Sequence, residues 1–179
     1  MKDLQEFHSL PEKKSIEAYS GLAFRQLKID EYIQENWNYI QEKVFILSAF
    51  YGITCGTCKI KKHRLDFSIK LFEDVSLYKF WSEYVNSFFS ENETIINLAS
   101  SEYTKLIDKK RVDFINIDFY ENKELKQISA NSKKARGEML NLLIKNQIEN
   151  IKVIKTLKLK EYSYNRELSS NNNLVFIKD

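Results

Sequence analysis

The chain has 179 residues, 43% of them apolar and 13% aromatic, with four Gly and one Pro. This suffices for one domain with its own core and excludes disordered, collagen-like and low-complexity classes. No apolar run nears the roughly 18 residues of a membrane span, and the start lacks the apolar stretch of a secretion signal. A net charge of +3 identifies no partner, yet it is unevenly spread. Residues 1–121 carry 16 basic and 19 acidic side chains, and residues 122–179 carry 12 and 6. The basic end suits an anion such as phosphate or nucleic acid, or it is a solvated lysine-rich surface.

In chain order, residues 1–18 read as a polar N-terminal arm and 19–179 as the domain. Tyr19-Ser20-Gly21 interrupts the pattern. Asp30 is placed to cap a helix to about Lys43, with Ile33, Trp37 and Ile40 on one face. The run 44–47 reads as a buried strand ending in a loop at Tyr51-Gly52, and 54–64 as irregular and basic. Ser76 is placed to cap a helix with a wide apolar stripe, Leu77, Phe80, Trp81, Tyr84, Val85 and Phe88. Strands are predicted at 94–99 and 112–120, then a hairpin turn at Glu121-Asn122-Lys123 into a strand at 124–129. Ser132 is read as the cap of the longest helix, to about Glu149, with Ala135, Met139, Leu142 and Leu143 toward the core. A terminal strand covers 174–177. The fold class is α/β (mixed α+β), one domain, a mixed twisted sheet flanked by helices.

Three loops carry the candidate chemistry, because ligands of open α/β sheets bind beyond strand ends and at helix starts. The first, 47–52, offers the Tyr51 ring and hydroxyl, or is only a strand end with a packed aromatic. The second, 97–103, contains Asn97, a polar residue inside an apolar strand that must find partners. Ser100 or Ser101 caps the helix that follows, which explains the serine without chemistry. Glu102 beside them is the candidate acid or base. The third, 131–137, places Lys133, Lys134 and Arg136 in the expected first turn of the long helix. Cations there oppose the helix dipole, and Gly137 would leave their face bare for close approach. Together they point to a bound anion, with a solvated basic turn as the plain alternative.

Cys55-Gly56-Thr57-Cys58 admits three readings: inert thiols, a redox pair, or metal ligands completed by His63 and His8. Two Cys without a secretion signal predict reduced thiols and a cytoplasmic protein. No phosphate-binding glycine loop, nucleophile elbow or HExxH occurs in the sequence, and no cofactor is expected.

These stretches, in this order, resemble the bacterial peroxide stress protein YaaA family. The likeness rests on Tyr19-Ser20-Gly21, LSAFYG at 47–52, LYKFW at 77–81, INLASSEY at 96–103, KKARG at 133–137 and LVF at 174–176, and it runs from Tyr19 to Asp179. Family members begin with a longer segment that opens on a strand and includes a DNA-binding element; the 18 residues before Tyr19 do not resemble it. After its Tyr-Gly the family has R-P-x-D and then P-Y-R. Here Cys55, Gly56, Thr57 and Cys58 stand in the first motif and Lys62, His63 and Arg64 in the second, so only Arg64 keeps its identity. The resemblance implies a cytoplasmic protein of peroxide and oxidative stress that limits free iron and binds DNA. The expected site is then Lys133, Lys134, Arg136 and Gly137 with Asn97, Ser100, Tyr51 and Arg64 around a nucleic acid or nucleotide. An enzyme acting on a nucleotide or nucleoside through Glu102 is the alternative. A sheet lacking the family's first strand is expected to leave an edge for a second copy or a protein partner. No membrane association is expected.

Overall fold

The structure is a computed structural model that describes residues 7–72, 75–122 and 124–178. In chain order these form β1 (Glu12–Lys14), α1 (Ser15–Ala18), α2 (Gln34–Lys43), β2 (Phe45–Ser48), β3 (Gly52–Cys55) and β4 (Lys59–Lys61). There follow β5 (Lys70–Phe72), β6 (Val75–Ser76), α3 (Leu77–Ser87), β7 (Thr94–Asn97), α4 (Ser101–Thr104) and β8 (Asp113–Tyr120). The chain closes with α5 (Ser129–Asn146), α6 (Ile151–Ile154), β9 (Tyr162–Tyr164) and β10 (Asn173–Lys178). Among the described residues no helix is long and apolar enough to cross a membrane.

Strand β8 organises the molecule because both of its faces have work. Its odd positions Ile115, Ile117 and Phe119 are apolar and buried, and they meet Ala135, Met139 and Leu143 of α5. Phe114, on the other face, joins a second cluster with Ala49, Ile53, Leu77 and Val85. Side chains alternate across a strand, so one stretch of sequence serves two layers. β8 pairs parallel with β7 and with β10, and β9 adds antiparallel to β10, giving the order β7-β8-β10-β9. A third cluster, Ile16, Leu27, Tyr32, Ile40, Val44, Ile46 and Ile144, packs α1 and α2 against the far end of α5.

The strand predicted at 44–47 appears as β2, but it pairs only with β3 in a hairpin outside the main sheet. Gly52 at the hairpin turn has φ +71°, and a Cβ there would lie 2.6 Å from the Trp81 ring, so glycine is required twice over. Trp81 fixes the loop by donating from Nε1 to the Ala49 carbonyl at 2.9 Å. The Ser76 cap is present, its Oγ accepting from Lys79 N.

Several expectations fail for local reasons. No strand follows Tyr120: Leu125–Ile128 run irregularly into α5, and Leu125 takes a positive φ of 59° that breaks extension. Lys123 of the expected hairpin and Leu4 of the expected arm lie outside the described residues. Asp30 sits in a 3₁₀ turn, and α2 starts at Gln34, where Asn36 Oδ1 accepts from Ile33 N. Ile33 therefore points outward, at 61% exposure. The stripe of α3 is only partly buried, with Phe80, Tyr84 and Phe88 exposed. Residues 12–18 of the expected arm are docked, β1 pairing antiparallel with β4 and Ile16 being buried. They do not reach β7, which among the described residues pairs only with β8.

Candidate functional site

Three asparagines stand in one row across the sheet. Asn97 ends β7, Asn116 faces it on β8, and Asn173 begins β10 in register with Asn116. An amide row inside a sheet must satisfy itself. Asn97 Nδ2 donates to Asn116 Oδ1 at 2.6 Å, and Asn116 Nδ2 donates to Asp118 Oδ2 at 2.8 Å and Asn173 Oδ1 at 3.3 Å. Asn97 also closes its own turn, its Oδ1 accepting from Ala99 N at 2.9 Å. The polar face of β8 (Asn116, Asp118, Tyr120) thus forms the floor of an open cleft of about 840 Å³.

One wall is the start of α5. That helix begins at Ser129, one turn earlier than the Ser132 cap implies. Ser132 lies inside the helix, and its Oγ donates to the Phe119 carbonyl at 3.2 Å, tying α5 to β8. Lys133, Lys134 and Arg136 are therefore past the first turn, and the opposition between their charges and the helix dipole largely falls away. Gly137 is corrected too. It is buried against the chain's own backbone, where a Cβ would lie 2.0 Å from the Ala23 carbonyl oxygen, so it admits a neighbouring loop and not a ligand.

Arg136 nevertheless reaches the cleft. Its Nε is buried and has no hydrogen-bond partner. Burial pulls the guanidinium below its ordinary value, while Asp118 and Tyr120 hold it up. A buried guanidinium nitrogen left unpaired is costly, and an anion would relieve that cost. Lys133, exposed at the rim, and Lys109, with its Nζ 4.6 Å from the Phe114 ring centroid, bring the cations among the described lining residues to three. Asp118 is the one carboxylate among the described lining residues.

The expected site residues thus separate into two groups. Asn97, Ser100, Lys133 and Arg136 line one cleft. Glu102, Lys134, Tyr51 and Arg64 do not line it. Glu102, Lys134 and Arg64 are exposed, and Arg64 lies beside Asp66. Tyr51 serves β4, its hydroxyl accepting from Lys61 N at 3.1 Å, and packs edge-on to His63. His63 in turn bonds Ser48 Oγ at 3.1 Å and the Lys61 carbonyl at 3.1 Å. Cys55 and Cys58 are joined as a disulfide, which overturns the expectation of reduced thiols. Among the described residues no group of three or more His, Cys, Asp or Glu is placed to hold a metal, so Cys55, Cys58, His63 and His8 make no such centre. The sequence reading missed Asn116, Asp118 and Asn173. The signal was there: Asn116 and Asp118 are polar residues two apart, alternating with the apolar Ile115, Ile117 and Phe119.

Fold and cleft together define an α/β protein with a cationic cleft over the polar face of β8, beside the end of β7 and walled by the start of α5. A family model described as peroxide stress protein YaaA matches residues 1–168, and the chain belongs to that family. It is 38% identical over 181 residues to a UPF0246 protein of Fusobacterium nucleatum, which covers 98% of this chain and 73% of the relative. A UPF0246 protein of Streptococcus uberis is 37% identical over 175 residues, covering 96% and 72%. One from Francisella philomiragia is 35% identical over 185 residues, covering 97% and 73%.

Proposed function

We propose that this member of the peroxide stress family binds a nucleic acid or nucleotide in the cleft between β8 and α5, in the cytoplasm. Arg136 is the central phosphate contact, Lys133 and Lys109 add charge at the rim, and Asn97, Asn173 and Ser100 orient the ligand. The observation that carries this reading is the unpaired, buried Arg136 Nε facing a cleft with three cations. Binding is the molecular act on this reading; limiting free iron is its consequence in the cell, and the family likeness supports that role. Lys134 and Arg64, exposed away from the cleft, serve as outlying contacts for a long polyanion. The edge of β7 that has no partner among the described residues is part of the same proposal, as the place where a second copy or a partner protein adds.

Fluorescence anisotropy of a labelled oligonucleotide, titrated across a salt series, tests the binding. Phosphate contacts release counterions, so affinity should fall steeply and linearly on logarithmic axes, by roughly 0.9 per contact for duplex and 0.7 for single strands. An affinity indifferent to salt would reject the cleft as a phosphate site. The alternative enzyme reading, with Glu102 as acid or base, is weakened by that residue's place outside the cleft. If chemistry occurs there, Asp118 is the carboxylate in position. Turnover of a nucleotide abolished by Asp118→Asn and untouched by Glu102→Gln would favour it.

A further inference from the structure

The Cys55–Cys58 bridge closes the turn between β3 and β4, and that turn holds the N-terminal segment in place. Three hydrogen bonds to the segment are accepted by carbonyls of the turn. Ser15 N donates to the Cys58 carbonyl at 2.8 Å and Ile16 N to the Gly56 carbonyl at 3.0 Å. Ser15 Oγ donates to the Cys55 carbonyl. Ser15 and Ile16 are buried, and β1 continues the clasp by pairing with β4 from Lys14↔Lys59 to Glu12↔Lys61. The turn is itself anchored, Gly56 N donating to the Val44 carbonyl at 2.7 Å. Cys58 is exposed and Cys55 partly so, which leaves the bridge open to small thiols and the reduced pair open to peroxide. Their Cα atoms lie 5.2 Å apart, within the ordinary range for a bridge, so forming it asks no movement of the backbone.

We propose that Cys55 and Cys58 form a reversible thiol–disulfide couple, oxidised by peroxide, whose state sets how firmly residues 12–16 are clasped against the β3–β4 turn. In the oxidising direction the Cys58 thiolate attacks a peroxide oxygen, giving a sulfenic acid and releasing hydroxide, which takes up a proton to become water. The Cys55 thiol then attacks the Cys58 sulfur, the S–S bond forms and a second water leaves. Two thiols are oxidised and one hydrogen peroxide is reduced to two waters. In the reducing direction a small dithiol attacks the exposed Cys58 sulfur, and Cys55 leaves as thiolate and takes a proton. The reductant's second thiol then releases Cys58 and closes the reductant's own disulfide. Opening the four-residue ring frees the three carbonyls from a fixed geometry, so the segment they hold opens more often.

The test uses the full chain with hydrogen peroxide and dithiothreitol, reading free thiols by titration and tryptic cleavage by mass spectrometry. Lys13 and Lys14 lie in the clasped strand, and Lys145 in α5 reports on the remainder of the fold. Reduction should raise cleavage at Lys13 and Lys14 about tenfold without changing Lys145, because local opening limits cleavage there. Peroxide should restore the slow rate and remove both thiols. The double variant Cys55→Ser, Cys58→Ser should cleave fast in either condition. Thiols that persist under peroxide, equal rates in the two redox states, or a parallel rise at Lys145 would each overturn the proposal.

Discussion

Arg136→Met separates the ligand role of Arg136 from its packing role. The side chain is half-buried, with its Nε unpaired and its charge disfavoured by burial. Methionine keeps an aliphatic stem of similar reach, so the packing of that stem is retained. Removing the guanidinium also removes a partly desolvated charge that Asp118 compensates only at a distance and whose Nε has no hydrogen-bond partner. Stability should hold or rise slightly. A charge-assisted bond to phosphate is worth about 1.5–3 kcal/mol, so affinity for an oligonucleotide should fall about 10- to 150-fold. The salt slope should shrink by roughly 0.9, the share of one duplex phosphate contact. Lys134→Ala, on an exposed residue outside the cleft, should change affinity far less. Anisotropy across a salt series measures both quantities, and thermal unfolding supplies the stability control. Unchanged affinity and slope for Arg136→Met would refute the site. A melting temperature lowered by more than about 4 °C would show that Arg136 is a structural residue.

Gly137→Ala sets a Cβ 2.0 Å from the Ala23 carbonyl oxygen, a backbone atom that cannot step aside cheaply. It should destabilise by about 1–3 kcal/mol, or roughly 2–12 °C in melting temperature, seen by circular dichroism. Burial raises the Tyr32 hydroxyl to about 12 from its ordinary 10, and that hydroxyl donates to Asn141 Oδ1 at 2.9 Å. The unfolded chain loses this proton first as pH rises, so the stability it contributes is intact below pH 10 and is lost between about 10 and 12. Tyr32→Phe should be less stable at pH 7 and show a shallower alkaline decline in denaturant midpoint. A decline identical to that of the parent protein would reject the assignment.

The parts of the fold legible in the sequence are those where one period rules. The alternation at 112–120 and the apolar spacing of Ala135, Met139 and Leu143 mark β8 and α5 because their partners lie on a single face. The boundary of α5 was misplaced because Ser132 has the chemistry of a cap. Here it uses that chemistry to bond Phe119 across 13 residues, a partner that local reasoning does not see. Gly137 was legible as a close-approach position, but what approaches is Ala23, more than 100 residues earlier. The cleft was half legible. Asn97 stood out as a polar residue in an apolar run, while Asn116 and Asp118 were hidden by the strong pattern of the core face of β8. β9 and the β5–β6 ribbon, each three residues or fewer per strand, carry too little pattern to be read.

Asn116 is the position on which the cleft's electrostatics turn. Its Nδ2 donates to Asp118 Oδ2 and its Oδ1 accepts from Asn97, so it holds the one lining carboxylate within the asparagine row. Asp118 already acts electrostatically on Arg136 without forming a hydrogen bond to it. In Asn116→Ala the carboxylate loses its donor, and its best remaining partner is the Arg136 guanidinium, whose Nε is unpaired. An ion pair formed there would occupy the group that an incoming phosphate needs. The substitution should therefore weaken anion binding by about tenfold although residue 116 donates nothing to an anion directly, besides costing roughly 1–3 kcal/mol of stability from unsatisfied amides. Asp118→Asn should do the reverse, tightening binding by removing the opposing charge. In the Asp118→Asn background, Asn116→Ala should cost little affinity, because no carboxylate is left to capture Arg136. A double-mutant cycle on affinity, with unfolding measured in parallel, isolates this coupling. Equal losses of affinity from Asn116→Ala in both backgrounds would mean that Asn116 acts on the ligand itself and not through Asp118.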